Sequence, residues 1–322
     1  MIVLGVETSC DETAVAIVVD GKTVLSDVVY SQIKIHEQYG GVVPEVASRR
    51  HIKKIIWAID AALKQAGLTP KDIDLVAVTT HPGLIGSLLV GINAARAFAL
   101  ANGIKCIGVN HITGHIYANY IESDFTFPVL SLVVSGGHTE LILMKDHYEF
   151  EVLGQTLDDA VGEAYDKVGR VMGLAYPAGP KVDKLAQTGN HKYNLPLSYL
   201  DKASYDFSFS GIKSAVLNLI NTCKMKNEEV NIPDLCKSFQ DSVVQVLVDK
   251  TIQAAMEYKA KHIIVAGGVA ANSGLRMAMT SAVNSLNDVK LTFPKMRYCT
   301  DNAVMIAVSG YFQELTGKGL SD

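Results

Sequence analysis

With 322 residues the chain is too long for one comfortable core, so two domains of about 150 residues are expected. Hydrophobic residues make up 48% and charged ones 19%, a balance that excludes a disordered chain. The formal net charge of −4 excludes binding of nucleic acid through bulk charge, and any RNA contact has to be local.

The chain opens on strand, polar turn, strand over Ile2 to Val19, with the tip Glu7-Thr8-Ser9-Cys10-Asp11-Glu12-Thr13. Three carboxylates in one tip suit magnesium, water or a proton better than bare phosphate. No basic segment followed by an apolar run and a small-residue cleavage site precedes this hairpin, so a cytoplasmic chain is expected. The five cysteines are scattered and never spaced Cys-x-x-Cys, which suggests neither a disulfide framework nor a thiolate zinc site. A helix over Pro44 to Gly67 carries Arg49, Arg50, His51, Lys53 and Lys54, read as a solvated face before an RNA contact. Strands at Leu75 to Thr79 and Lys105 to Val109 flank a helix over Gly86 to Asn102. Its apolar run holds Asn93 and Arg96 and reads as a packed helix, not a membrane span.

His111 and His115 follow, one helical turn apart, so both imidazoles leave the same face and can grip one metal ion. In the metalloprotease pattern the residue after the first histidine is the glutamate that activates water; here it is Ile112. The ligand geometry is present without the proteolytic base. A third ligand has to come from elsewhere, and Asp301 is the candidate.

Leu130 to Met144 repeats the opening plan, with the tip Ser135-Gly136-Gly137-His138-Thr139 able to offer a phosphate backbone N–H groups and hydroxyls. Two like hairpins, one opening each half, suggest a duplicated α/β domain with both tips facing an interdomain cleft. Further helices are expected at Ala160 to Met172, Pro180 to Thr188, Ile212 to Asn221 and Ile232 to Tyr258, with an aromatic insertion over Asn190 to Ser210. Strand His262 to Ala266, Gly267-Gly268, then a helix from Leu275 is a place where a nucleotide can meet backbone and the positive end of a helix. It matches neither the dinucleotide fingerprint nor the Walker loop. The expected division is 1–109 plus the C-terminal helix 303–322 as one domain, and 110–302 as a second carrying the metal and nucleotide sites.

The tip Glu7 to Thr13, Gly40-Gly41-Val42-Val43-Pro44-Glu45, His111-Ile112-Thr113-Gly114-His115, Ser135 to Thr139, Asp206-Phe207-Ser208-Phe209-Ser210-Gly211 and Gly267 to Asn272 occur in this order. Together they resemble the TsaD family of tRNA adenosine threonylcarbamoyltransferases, once taken for glycoproteases. The resemblance implies the actin-like, sugar-kinase and heat-shock-ATPase (ASKHA) fold. It also implies transfer of threonylcarbamoyl from threonylcarbamoyl-AMP to the exocyclic amine of the adenosine following the anticodon, in tRNAs reading codons that begin with A. It makes His111, His115 and Asp301 ligands of one divalent metal ion, iron or zinc, with magnesium as the alternative. Val133, Val134, Ser135, Gly136, Gly137, Asp166, Gly179, Asp183 and Asn272 would hold the adenylate, or ATP or ADP.

Besides tRNA, the implied partners are an inactive paralogue resembling TsaB and an ATPase resembling TsaE, with no membrane. Asp11 or Glu12 is the candidate to take the amine's proton. Three rivals are a kinase or ATPase of the same fold, a metal-dependent peptidase, and a nucleotide-binding scaffold with vestigial tips.

Overall fold

The structure, a computed structural model, describes residues 1–199 and 204–318. The chain forms two compact units: 1–125 with 147–149 and 294–322, and 126–146 with 150–293.

The first unit is built on five strands: β1 (Ile2–Glu7), β2 (Glu12–Val19), β3 (Thr23–Ser31), β4 (Leu75–His81) and β5 (Lys105–Asn110). Their order is β3-β2-β1-β4-β5, antiparallel across the first three and parallel from β1 to β5. A short helix α1 (Ile33–His36) precedes α2 (Pro44–Ala66), and α3 (Ile85–Asn102) links β4 to β5. Leu4, Val6, Val15, Ile17, Val76 and Val78 pack against Ile55, Ile59, Ala95 and Ala99 of α2 and α3. Strand side chains alternate between faces, so Gly5 belongs to the other one, where a Cβ would lie 2.3 Å from the Ala303 carbonyl oxygen. Cover on both faces explains why β1 and β2 read as unbroken apolar runs. α3 is long and apolar enough to cross a membrane by length and composition, yet it packs on β4 and β5 with Leu88, Ala95 and Ala99 buried.

The second unit repeats the plan. β6 (Val129–Val134), β7 (Thr139–Met144) and β8 (Phe150–Gln155) form the antiparallel part, continued in parallel by β9 (His262–Ala266) and β10 (Lys290–Thr292) in the order β8-β7-β6-β9-β10. Its helices are α5 (Val161–Val171), α6 (Gly179–Ala186), α7 (Ser210–Met225), α8 (Ile232–Glu257) and α9 (Ser273–Val283). The echo between the two hairpins is therefore a duplication of a whole sheet. Outside 200–203, which are not among the described residues, the aromatic insertion packs: Phe207 and Phe209 are buried. Its Asp206-Phe207-Ser208-Phe209-Ser210 run is held by Asp158, whose carboxylate accepts from Ser208 Oγ, the Phe209 N–H and Ser210 Oγ.

The division between units differs from the one expected before His111. Helix α4 (His111–Ala118) follows β5 without a linker because the Asn110 side chain caps it, accepting from the Ile112 and Thr113 N–H groups. The α4 face then packs on the final helix α10 (Ala303–Thr316), with Tyr117 stacked 5.1 Å from Phe312. The units part at 125/126, and the metal-ligand candidates all belong to the first unit, not to the second.

One backbone position is open to a direct test. Gly267 has φ +90°, and a Cβ there would lie 2.4 Å from the Val134 carbonyl oxygen. Gly267→Ala is expected to lower stability by at least about 1–3 kcal/mol, read as a drop in melting temperature.

Candidate metal centre and nucleotide cradle

His111 and His115 sit one turn apart on α4, with ring centroids 4.6 Å apart. Asp301, just before the Asn302 cap of α10, brings Oδ1 to 3.4 Å from His111 Nε2 and 3.3 Å from His115 Nε2. Among the described residues these three form the one group of histidine, cysteine or acidic side chains able to share a metal ion. Both carboxylate-to-ring distances suit a shared ion, and the three ligand atoms lie within 4.8 Å of one another. A tetrahedral ion with bonds of about 2.0–2.1 Å separates its ligand atoms by about 3.3 Å. Both His115 ring nitrogens are buried without a hydrogen bond, a costly state for a polar ring, and Nε2 faces the Asp301 carboxylate at 3.3 Å.

Glu7 lies beneath His111 and is fully buried. Its Oε2 is 3.0 Å from His111 Nδ1 and accepts from Thr79 Oγ1 at 2.6 Å, while Oε1 accepts the Ser9 N–H at 2.5 Å. Burial alone would push its carboxyl up, but the His111 charge and hydrogen bond hold it below the usual range. For His111, burial acts to lower the value and is outweighed by Asp301 and Glu7, which raise it well above the ordinary histidine range. Burial opposes ionisation of Asp301 too, and His111 overcomes it, leaving a very acidic carboxyl. A proton on His111 thus occupies the electrostatic position a cation would take.

The pH consequence has a definite sign. His111, raised in the folded state, contributes stability that is fully present below its unfolded value and lost as pH rises through the folded one. The metal-free chain should lose this contribution in thermal melts across that interval, and saturating zinc should remove the slope.

At the β1–β2 tip, Asp11 and Glu12 are both nearly buried. Burial first, then Asp11 and Asp301, raise Glu12 well above the usual carboxyl range, which favours its neutral form. Ser31 Oγ donates to its Oε1 at 3.0 Å. The tip is clamped by His51 of α2, whose Nε2 lies 2.9 Å from the Cys10 carbonyl oxygen and whose Nδ1 lies 2.8 Å from Thr13 Oγ1. The carbonyl can only accept, so Nε2 carries the proton and Nδ1 accepts from Thr13. The basic run was read as a solvated face; its His51 is buried instead.

In the second unit the β6–β7 turn closes on itself: the Ser135 N–H donates to the His138 carbonyl and the His138 N–H donates to Ser135 Oγ. A Cβ on Gly136 or Gly137 would meet nothing within 4 Å, so the space beside both is open. Val133 and Val134 are fully buried at the end of β6, paired with Glu140 and Thr139 of β7. Asp166 on α5 accepts the Ala178 and Gly179 N–H groups at 2.7 and 3.3 Å, holding the start of α6. Asp183 on α6 accepts from Ser273 N–H, Ser273 Oγ and Gln240 Nε2. Gln240 Oε1 in turn accepts from Asn272 Nδ2 at 2.7 Å, while Asn272 Oδ1 caps α9 through the Leu275 N–H.

The fold therefore joins Asp183 to Asn272 through Gln240 and joins Asp166 to Gly179. It makes no direct contact between the two aspartates. Gln240 and Thr79 escaped the sequence reading, while Glu7 was read only as one of the tip acids and His51 only as part of a solvated face. Gln240 lies inside α8 and Thr79 inside β4, with no glycine, repeat or ligand spacing to mark either.

A family model described as tRNA N6-adenosine threonylcarbamoyltransferase matches residues 23–308. A protein of that name from Geobacillus kaustophilus is 55% identical over 316 residues, 98% of this chain and 92% of its own. The Bacillus subtilis protein of that name is 56% identical over 310 residues, covering 96% and 90%. Among solved structures, HypF of T. kodakarensis superposes with TM-score 0.65 at 15% identity, over 98% of this chain and 48% of its own. Component A of the Acidaminococcus fermentans (R)-2-hydroxyglutaryl-CoA dehydratase does so with TM-score 0.56 at 15% identity, over 99% and 100%. A ROK hexokinase from Thermus thermophilus aligns at TM-score 0.50 and 14% identity, over 99% and 100%. These structures share the fold alone, the duplicated ASKHA architecture that the family resemblance implied and with which the paired hairpins agree. The near-complete match to the curated relatives goes further: the chain belongs to the tRNA N6-adenosine threonylcarbamoyltransferase family.

Proposed function

We propose that the chain moves the threonylcarbamoyl group of threonylcarbamoyl-AMP onto N6 of the adenosine that follows the anticodon in tRNAs reading codons that begin with A. The amine nitrogen bonds to the carbamoyl carbon, the carbon–oxygen bond to phosphate breaks, and AMP leaves with that electron pair. The donor is a mixed anhydride and already activated, so positioning and charge stabilisation carry most of the catalysis. The observation that carries this reading is the His111, His115 and Asp301 triad at ligand spacing, in a chain whose family name states the reaction.

Iron or zinc suits two imidazoles and one carboxylate, with magnesium less well matched to nitrogen ligands. When bound, the ion would supply Lewis-acid polarisation and neutralise developing negative charge. The Ser135-Gly136-Gly137 turn with Val133 and Val134 is assigned to the phosphate, and Asp166, Gly179, Asp183 and Asn272 to the nucleoside, whether threonylcarbamoyl-AMP or ATP or ADP. Burial and neighbouring acids disfavour the ionised form of Glu12, so the base role is assigned to Asp11. Single-turnover transfer from purified threonylcarbamoyl-AMP to tRNA tests the proposal. Absence of transfer would overturn it, and transfer that survives both chelation and loss of the triad would remove the metal from the reaction.

The partners proposed are tRNA, a TsaB-like paralogue and, on family resemblance, a TsaE-like ATPase. An apolar face supports the paralogue: Ile52, Ile56 and Trp57 of α2 are 63%, 65% and 72% exposed, beside Leu89 of α3 at 52%. Ile56→Asp with Trp57→Asp is expected to weaken association with the paralogue at least about 100-fold while leaving the melting temperature within a few degrees, by calorimetric titration and thermal melt.

A further inference from the structure

We infer that Glu7 is the positioning residue of the cation site: its carboxylate holds the His111 ring through Nδ1 and so commits Nε2 to the ligand role. The inference rests on the metal reading above and deepens it. Glu7 ends β1, fully buried, and its two oxygens face three donors: the Ser9 N–H, the Thr79 hydroxyl and His111 Nδ1. An ionised carboxylate can only accept, so the proton of a neutral His111 sits on Nδ1 and the lone pair on Nε2. Nε2 is the nitrogen 3.4 Å from Asp301 Oδ1.

Thr79 approaches from the neighbouring strand β4 and Ser9 from the tip, which fixes the carboxylate from two directions and keeps it from turning into a ligand itself. His115 has no such support, because its Nδ1 is buried without a hydrogen-bond partner. The two imidazoles are therefore unequal. His111 is oriented by a hydrogen bond, and His115 only by the packing of α4. The arrangement is a carboxylate–histidine–metal relay in which the supporting acid tunes affinity without touching the ion.

Glu7→Gln is nearly isosteric but presents an amide NH2 to one of the three donors, so a hydrogen bond is lost along with the charge. Competition titrations of zinc and cobalt against a chromophoric chelator, on the purified full chain, are expected to show about 10–100-fold weaker binding in Glu7→Gln. Circular dichroism and ADP affinity should stay as in the wild type. Nitrogen-15 correlation spectra of the zinc-loaded wild type are expected to show His111 protonated at Nδ1, which decides the matter even if Glu7→Gln fails to fold. Equal zinc affinity in Glu7→Gln, or a His111 bound through Nδ1, would overturn the inference and leave the metal reading intact. Failure of the wild type to take up either cation would sink both together.

Discussion

His115→Leu should abolish cation uptake, lower single-turnover transfer by on the order of 1000-fold, and yet raise the melting temperature of the metal-free chain. A lost Lewis acid removes several kcal/mol of transition-state stabilisation, which at about 1.4 kcal/mol per factor of ten gives that loss of rate. The gain in stability has a separate cause. Both His115 ring nitrogens are buried without a hydrogen-bond partner, and its charged form is disfavoured because burial, the largest influence, lowers the value. A leucine of similar bulk removes two unsatisfied polar atoms, each worth about 1–3 kcal/mol when buried. Metal analysis by plasma emission, single-turnover transfer and metal-free thermal melts measure the three effects. A variant that melts lower and still binds zinc would show that the ring is an ordinary core residue.

Asp11→Asn should cost transfer about 100- to 10,000-fold, the range of general-base removal, while Glu12→Gln should cost under about tenfold. The two residues are adjacent and equally buried, so composition alone would treat them alike. Their environments separate them. Burial, then Asp11 and Asp301, favour the neutral form of Glu12, which an amide that also donates mimics. Near pH 7 the transfer rates of the two variants decide the assignment, and equal loss in both would mean a shared proton with no division of labour. Zinc affinity should be unchanged in either, since neither side chain is within the ligand triad.

The fold was readable because its signals are periodic. Strand β9 and the helices α2 and α8 appear within a residue of where alternation, Pro at the first turn and the terminal glycine or tyrosine put them. The hairpin echo announced a duplication of which only the leading strands were visible. β3, β8 and β10 were missed: β3 and β8 have most of their residues half-buried or exposed, and β10 has only three residues. The boundary before His111 was misplaced because a strand followed directly by a helix looks like a junction. The Asn110 cap shows continuity instead.

The candidate site divides along the same line. His111 and His115 were legible from spacing, since a four-residue offset has one geometric meaning on a helix. Asp301 lies far along the chain, and its approach to within 3.4 Å of both rings is a product of α10 packing on α4 and β1. Glu7 was visible as an acid but not as a support, because a hydrogen bond to a ring nitrogen leaves no trace in the order of residues. Gln240 is the extreme case. It sits in mid-helix on α8, yet it connects Asp183 to Asn272.

The first unit is closed by 294–322, so every residue of the second unit is synthesised between the two imidazoles and the carboxylate that complements them. On a ribosome adding roughly 5–20 residues per second, the emerging chain spends on the order of ten seconds or more with its histidines made and their acid still unmade. On the proposed metal reading, an ion met in that interval finds two of its three ligands, and the full set exists once Asp301 has been made.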